Sequence, residues 1–382
     1  MKKEIGKFLA LLGVFLAAYF IPVGEESVRQ ALLKGFEMLQ WYAVYHTLGC
    51  VVPAMFIAGA ISTFASRESV LRFLGPGSNR ILAYGTASVS GVVLAVCSCS
   101  VLPMFAGIFQ TGAGLGPAST FLAAGPGLNL MAIFLSARVL GLELGAARTV
   151  LAIGMSIFAG LGMAWIFRKS EQKRIRNVMQ IPESSSNRRS LRQMFLFFAA
   201  MLLFLILSDW VPSEAYAWSV KIHEMRPLGC LILFLSVVWM AFRWFNGEER
   251  REWMSQTWSF AKSIVPLLFG GVFVTGFLTS LLPQEIVAQY VGGNSITANL
   301  TASTLGMFWY FSTLTEIPMV ESLLALGMGK GPALALLLAG PTLSLPSIFV
   351  LARIMGWKKT LTFSGLTVIF STLCGMIFGI FF

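Results

Sequence analysis

The stretch from Cys97 to Gly141 constrains the chain more than any other. It reads CSCSVLPMFAGIFQTGAGLGPASTFLAAGPGLNLMAIFLSARVLG. It is apolar enough to sit in a bilayer, yet Pro103, Pro117, Pro126 and several glycines interrupt it. Backbone broken at membrane depth is tolerated only where protein or a water-filled cavity surrounds it. The same pattern returns 215 positions later: 83–141 set against 298–356 without a gap gives 23 identities in 59 positions. Pro103 meets Pro318, Gly116-Pro117 meets Gly331-Pro332, Gly125-Pro126 meets Gly340-Pro341, and Gly141 meets Gly356. Self-similarity at a fixed offset marks a duplicated unit. Glycine and proline are the residues that fix backbone shape, and they are among the residues kept.

Only 12% of the 382 residues are charged and 56% are hydrophobic, whereas a soluble domain carries roughly 25% charged residues. The segments 8–21, 42–65, 81–96, 146–167, 194–207, 228–242, 264–282, 332–352 and 360–382 are nearly charge-free. A bilayer core takes about 20 apolar residues per helix. The expected fold class is therefore an all-α polytopic membrane protein. It has about nine transmembrane helices and two re-entrant hairpins in an inverted repeat.

Helix 1 is expected over about 5–22, followed by a loop to 40, and helix 2 over 42–66. Helix 3 starts near Ile81 and helix 4 covers 146–167. Helices 5 and 6 cover 194–211 and 227–245. Helices 7, 8 and 9 cover 259–282, 297–326 and 360–381. The first membrane repeat is 1–167, a basic cytoplasmic linker covers 168–193, and 194–382 holds helices 5–6 and the second repeat. The start, Met1-Lys2-Lys3 before an apolar run, lacks a clean cleavage site before Pro22 and reads as a retained helix. The net charge of +11 sits in loops. The strongest cluster is Arg168, Lys169, Lys173, Arg174, Arg176, Arg188, Arg189 and Arg192, with a flexible Pro-Glu-Ser-Ser-Ser-Asn composition inside it. Basic loops face the cytoplasm, so no nucleic-acid partner is expected and contact with anionic lipid is. All basic loops fall on one side only if 117–137 and 332–352 are hairpins that return to the face they entered, turning at Gly125-Pro126-Gly127 and its copy. The N-terminus is then cytoplasmic. The two copies are five crossings apart and point in opposite directions, the architecture of many secondary transporters. Gly112-Ala-Gly-Leu-Gly lacks a P-loop lysine and does not read as a phosphate cradle.

Five cysteines, mostly within apolar blocks, do not form a secreted disulfide framework. Cys97-Ser98-Cys99-Ser100 precedes Pro103, and proline suits the first turn of a helix. The expected geometry is helix to about Val96, an unwound stretch, then a half-helix from Pro103 whose free N–H groups favour thiolate. Two soft sulfurs suit trivalent arsenic or Cu(I); the alternative is two small cysteines filling a packing site. The second copy offers Ser312, Thr313, Leu314 and Thr315 there, followed by Glu316 and Glu321 around Pro318. A carboxylate at membrane depth is expensive and usually functional. Glu316 and Glu321 are therefore the proton-coupling candidates, with caps or interface acids as the alternative. Asn129 and Ser344 place a polar group at each expected hairpin tip. Pro103, Pro126, Pro318 and Pro341 are the expected helix breaks. Arg138 and Arg353 read as interfacial anchors.

At CSCSVLP, GAGLGPASTFLAAGPGLN and ARVLG the chain resembles the predicted permease family that includes the ArsP-type trivalent organoarsenical exporters and the YraQ-like permeases. The resemblance covers most of helices 2–4 and 7–9. It implies an inner-membrane permease, and for its arsenical branch efflux of methylated or aromatic As(III) with membrane thiols as ligands. The expected substrate site is Cys97, Ser98, Cys99, Ser100, Asn129, Thr313, Thr315 and Ser344. Partners are a small-molecule or metalloid substrate and membrane lipid, with a homodimer left open. No cofactor, resident metal or catalytic residue is expected. Two other readings stand beside the permease: a transmembrane thiol/disulfide electron carrier, and a non-transporting membrane subunit of a larger complex.

Overall fold

The computed structural model describes residues 25–64, 74–75, 78–94, 98–128, 130–180, 190–208, 210, 217–280, 290–308 and 316–382. The expected first helix, 5–22, lies outside them. Among the described residues the chain is almost wholly helical, and one isolated bridge, Gly292 to Met328, is its extended pairing. It is an all-α polytopic membrane protein. Among the described residues, five helices are long and apolar enough to cross a bilayer, and one bent pair makes a sixth candidate.

The first helix, α1 (Glu26–Tyr42), runs through a π-helical segment (Ala43–Val51) into α2 (Val52–Phe64). The expected loop up to 40 is thus corrected to helix. Its Arg29–Glu26 and Lys34–Glu37 pairs are spaced for helix support, while Ala31 and Gly35 turn inward. Next come α3 (Arg80–Leu94), α4 (Ser98–Thr111), α5 (Leu115–Gly127), α6 (Leu130–Val139) and α7 (Leu142–Ile166). Within the expected basic linker, Arg168–Gln180 forms α8. Then follow α9 (Leu191–Ser208), α10 (Ala217–Trp244) and α11 (Gly247–Ser280). The last five helices are α12 (Ile296–Phe308), α13 (Glu316–Ala325), α14 (Lys330–Thr342), α15 (Leu345–Met355) and α16 (Trp357–Phe381). Of the continuous helix expected over 297–326, the described residues form Ile296–Phe308 and Glu316–Ala325, and 309–315 lie outside them.

The helix borders repeat at the sequence offset. Both ends of α7 move by 215 onto the ends of α16. The turn before each is a glycine with positive φ: Gly141 at φ 97°, ψ 156° and Gly356 at φ 87°, ψ 152°. Only glycine sits easily there. α7 has 25 residues, about 37 Å at about 1.5 Å each, enough for a hydrocarbon core of about 30 Å. α7 and α16 lie antiparallel. Met155 touches Ser371 at 3.1 Å, Phe158 meets Phe370, and Gly162 lies under Leu366.

The hairpins expected at 117–137 and 332–352 are corrected. α5 and α6 run along α7 from one end to the other. Gly116 lies against Gly160, Thr120 Oγ1 donates to the Ser156 carbonyl at 3.1 Å, Gly127 lies against Ala152, and Ala137 against Gly145. A hairpin would bring residue 137 back beside 117; here it stands at the far end of the helix. α14 and α15 are bent by 47°, a kink and not a reversal. Pro126 and Pro341 sit inside α5 and α14, in the last turn, where they end a helix without turning the chain back. Leu343 and Ser344 are extended residues that carry the second chain onward.

Two other helix pairs do begin and end together. The Gly114 amide donates to the Leu74 carbonyl at 2.8 Å, which brings the chain before α3 beside the chain after α4. The starts of α3 and α5 and the end of α7 line one cavity. In the second copy the Gly329 amide donates to Val291 at 3.1 Å, and Asn294 donates to the Met376 carbonyl near the end of α16. An ion pair holds each end of the bundle. Lys330 reaches Glu143 at 3.1 Å, and Lys359 reaches Glu171 at 2.7 Å.

Backbone strain and packing separate cleanly in one pair of variants. Nothing lies within 4 Å of a Cβ added at either Gly141 or Gly154, and only Gly141 has positive φ. Gly141→Ala is expected to cost about 1–3 kcal/mol and to lower the thermal midpoint of the purified protein. Gly154→Ala, inside α7, is expected to leave that midpoint unchanged or raise it.

Candidate functional site

α13 opens on Glu316, whose side chain is 1% exposed. Arg148, in the second turn of α7, is fully buried. Arg148 Nη2 donates to Glu316 Oε2 at 3.0 Å, and Nη1 donates to Ser136 Oγ on α6 at 2.9 Å. The three groups come from both copies: α6 and α7 from the first, α13 from the second. In apolar surroundings neither charge is tolerable alone. Two polar atoms of the pair, Arg148 Nε and Glu316 Oε1, have no hydrogen-bond partner among the described residues. Pro318 is the third residue of α13, where its missing N–H breaks no helical bond.

The ends of the broken helices meet one turn from this pair. Gly127, which closes α5, faces both Ala152 on α7 and Thr342 at the end of α14. Ala152 is four residues beyond Arg148, on the same face of α7. Ser344 opens α15, is 3% exposed, and shares a 2.8 Å hydrogen bond with Ser347. α6 packs on α13 and α15 packs on α4, so each broken span leans on the short helix of the other copy.

The other expected residues are placed unevenly. Cys97, Asn129, Thr313 and Thr315 lie outside the described residues. Ser98 and Cys99 form the first turn of α4, but their side chains lie outside the described set; Ser100 is buried. Pro103 is not the start of the half-helix: it sits inside α4, six residues from its first turn's opening residue Ser98 counted inclusively. There it leaves the Cys99 carbonyl without an intrahelical donor. Glu321 is exposed and turns away from Glu316. Arg138 is exposed near the end of α6, and Arg353 is exposed near the end of α15. Among the described residues no group of three His, Cys, Asp or Glu could hold a metal ion. Arg148 and Ser136 are the residues that sequence reasoning missed. The signal was one arginine inside an otherwise charge-free block.

A family model described as a predicted permease, ArsP_1, matches residues 32–380. The UPF0718 protein MJ0584 of Methanocaldococcus jannaschii is 41% identical over 333 residues, covering 86% of this chain and 91% of the relative. The UPF0718 protein YraQ of Escherichia coli is 24% identical over 343 residues, covering 89% and 80%. No solved structure matches.

Removing one member of the buried pair strands the other. Arg148→Met alone is expected to destabilise the fold by about 3–5 kcal/mol. Adding Glu316→Leu to it should restore most of the loss, because no charge is then left buried. Thermal unfolding of the single and double variants in detergent checks this. Equal loss in both would mean that the pair is not what the packing rests on.

Proposed function

This chain belongs to the predicted permease family, and we propose that it is a secondary permease exporting a small thiophilic solute by alternating access. A trivalent organoarsenical is the cargo class that the family resemblance and the paired thiols favour. The observation that carries the reading is the Arg148–Glu316 pair, buried between the two copies beside the meeting ends of two broken helices. A pure scaffold has no need of a buried charge pair with polar atoms left unpartnered.

The two copies are read as an inverted repeat. Antiparallel packing of α7 on α16 supports this, as do the ion pairs at opposite ends of the bundle. On this reading α3–α4 and α12–α13 are the re-entrant pairs, entering from opposite faces, and α5–α6 and α14–α15 cross the bilayer. The face bearing α8 is cytoplasmic, because Arg168, Lys169, Lys173, Arg174 and Arg176 lie there. This reassignment keeps every basic loop on the side that the sequence assigned to it.

Glu316 is the proton-coupling group. With Glu316 ionised, the charge pair ties the copies together in one arrangement. A proton on Glu316 weakens that tie and lets one copy rock against the other. In the reduced protein, with the Cys50 disulfide opened, the thiols of Cys97 and Cys99 are the soft ligands for cargo.

In a host stripped of its own exporters, the protein is expected to confer resistance to a methylated or aromatic trivalent arsenical. Cys97→Ser and Cys99→Ser should each lower it. Unchanged resistance to every soft metalloid would remove the cargo. In inverted vesicles, Glu316→Gln should abolish the response of transport to a collapsed pH gradient; a retained response would remove the coupling role.

One observation favours a second reading, the transmembrane thiol/disulfide carrier. Cys50 is buried on the π-helical segment that packs on α4, and it is held in a disulfide. Cys230 and Cys374 are free. Alkylation of the denatured protein with and without prior mild reduction decides between them. A carrier exchanges this disulfide readily and loses function with Cys50→Ser, whereas a permease keeps transport.

A further inference from the structure

We propose that the cavity between the starts of α3 and α5 and the end of α7 binds a phosphate group. It has a volume of about 440 Å³ and opens on the face that carries α8. Arg80 and Arg168 line it, and neither has an acidic partner among the described residues. Glu171 also lines it, but its charge is taken up by Arg174 at 2.9 Å and Lys359 at 2.7 Å.

The floor of the cavity is the N-terminus of α5. The first bond of that helix runs from the Ala118 amide to the Gly114 carbonyl. The amides of Leu115 and Gly116 precede it and remain available to an anion. Tyr84 points at the same place. It is 8% exposed, its hydroxyl has no hydrogen-bond partner among the described residues, and a Cβ on Gly116 would lie 2.1 Å from that hydroxyl. Glycine at 116 thus lets a phenol O–H sit beside free backbone N–H groups. Two arginines, one hydroxyl and the residues that carry two free amides line this one cavity, the donor set that phosphate recognition uses. The sequence alone gave no phosphate reading of Gly112-Ala-Gly-Leu-Gly, because its cations come from residues 80 and 168 and not from a nearby lysine.

One wall is apolar, formed by Leu161 and Trp165, and Trp165 is 82% exposed on the outer face of α7. That wall suits the acyl stem of an anionic phospholipid, while the donor set suits free phosphate equally. The site is separate from the Arg148–Glu316 pair: Arg168 lies 20 residues further along the chain, about 30 Å at helical rise. Loss of transport chemistry would therefore leave it standing.

The test uses full-length protein in nanodiscs of zwitterionic lipid. Inorganic phosphate is titrated against the thermal midpoint in one arm. In the other, phosphatidylglycerol is added and bound lipid is counted by native mass spectrometry. Arg80→Gln/Arg168→Gln should weaken binding about tenfold or more, and Tyr84→Phe by a smaller factor. Lys173→Gln/Arg176→Gln removes the same charge from α8 outside the cavity and should leave binding unchanged. A response to phosphate identifies a soluble anion, and retention of phosphatidylglycerol alone identifies a lipid headgroup; either supports the site. Binding in neither arm, or equal loss in the α8 control, overturns it.

Discussion

A buried charge in an apolar medium has to find its partner, and that requirement ties this molecule together. Arg148 enters from the first copy and Glu316 from the second, with side chains 0% and 1% exposed. The chain separates them by 168 residues, so only folding brings them together. Once together they hold α6 and α7 against α13. The duplication does not repeat the arrangement. Val101 stands where Glu316 would fall in the first copy, and Phe363 stands where Arg148 would fall in the second. Two nearly equal units are thus joined by an unequal contact.

Around that contact the packing uses small residues where backbones approach. Gly116 against Gly160, Gly145 against Ala137, and Gly331 against Gly375 leave no room for a Cβ. Close approach of this kind replaces the hydrophobic drive that helices lack between lipid tails. The broken helices add a different property. Leu343 and Ser344 are extended, and the turn around Gly127 lies against Thr342. Helix ends with loosened backbone bonds meet where a solute would need polar groups, next to a charge pair with unused donors and acceptors.

Much of this was legible in the sequence. The membrane class follows from the charge-free blocks, the duplicated unit from matched glycines and prolines, and Glu316 from its position among apolar residues. The borders of α7 and α16 follow from Gly141 and Gly356. Three features were not legible, for physical reasons. Gly125-Pro126-Gly127 has the composition of a turn, but proline in the last turn of a helix ends it without choosing the next direction. Packing along α7 makes that choice. Arg168–Gln180 is polar enough to look like a linker, yet Arg174 donates to the carbonyls of Phe109 at 2.7 Å and Ala113 and pairs with Glu171. Those contacts dock α8 on the end of α4. Arg148 was passed over at the start of a nearly charge-free block, because its partner is invisible until the second copy folds against the first.

The central claim is that α7 and α16 cross the bilayer in opposite senses, with broken spans beside them. Single cysteines placed at exposed ends, in a background lacking the native thiols, test it directly. The positions are Leu142→Cys and Lys330→Cys at one end of the bundle, and Ser170→Cys and Lys358→Cys at the other. A membrane-impermeant maleimide applied to intact cells should label the first pair and spare the second, and inverted vesicles should reverse the pattern. Labelling of Lys330→Cys and Lys358→Cys from the same side would show that the chain between them turns back instead of crossing, and the account would fail.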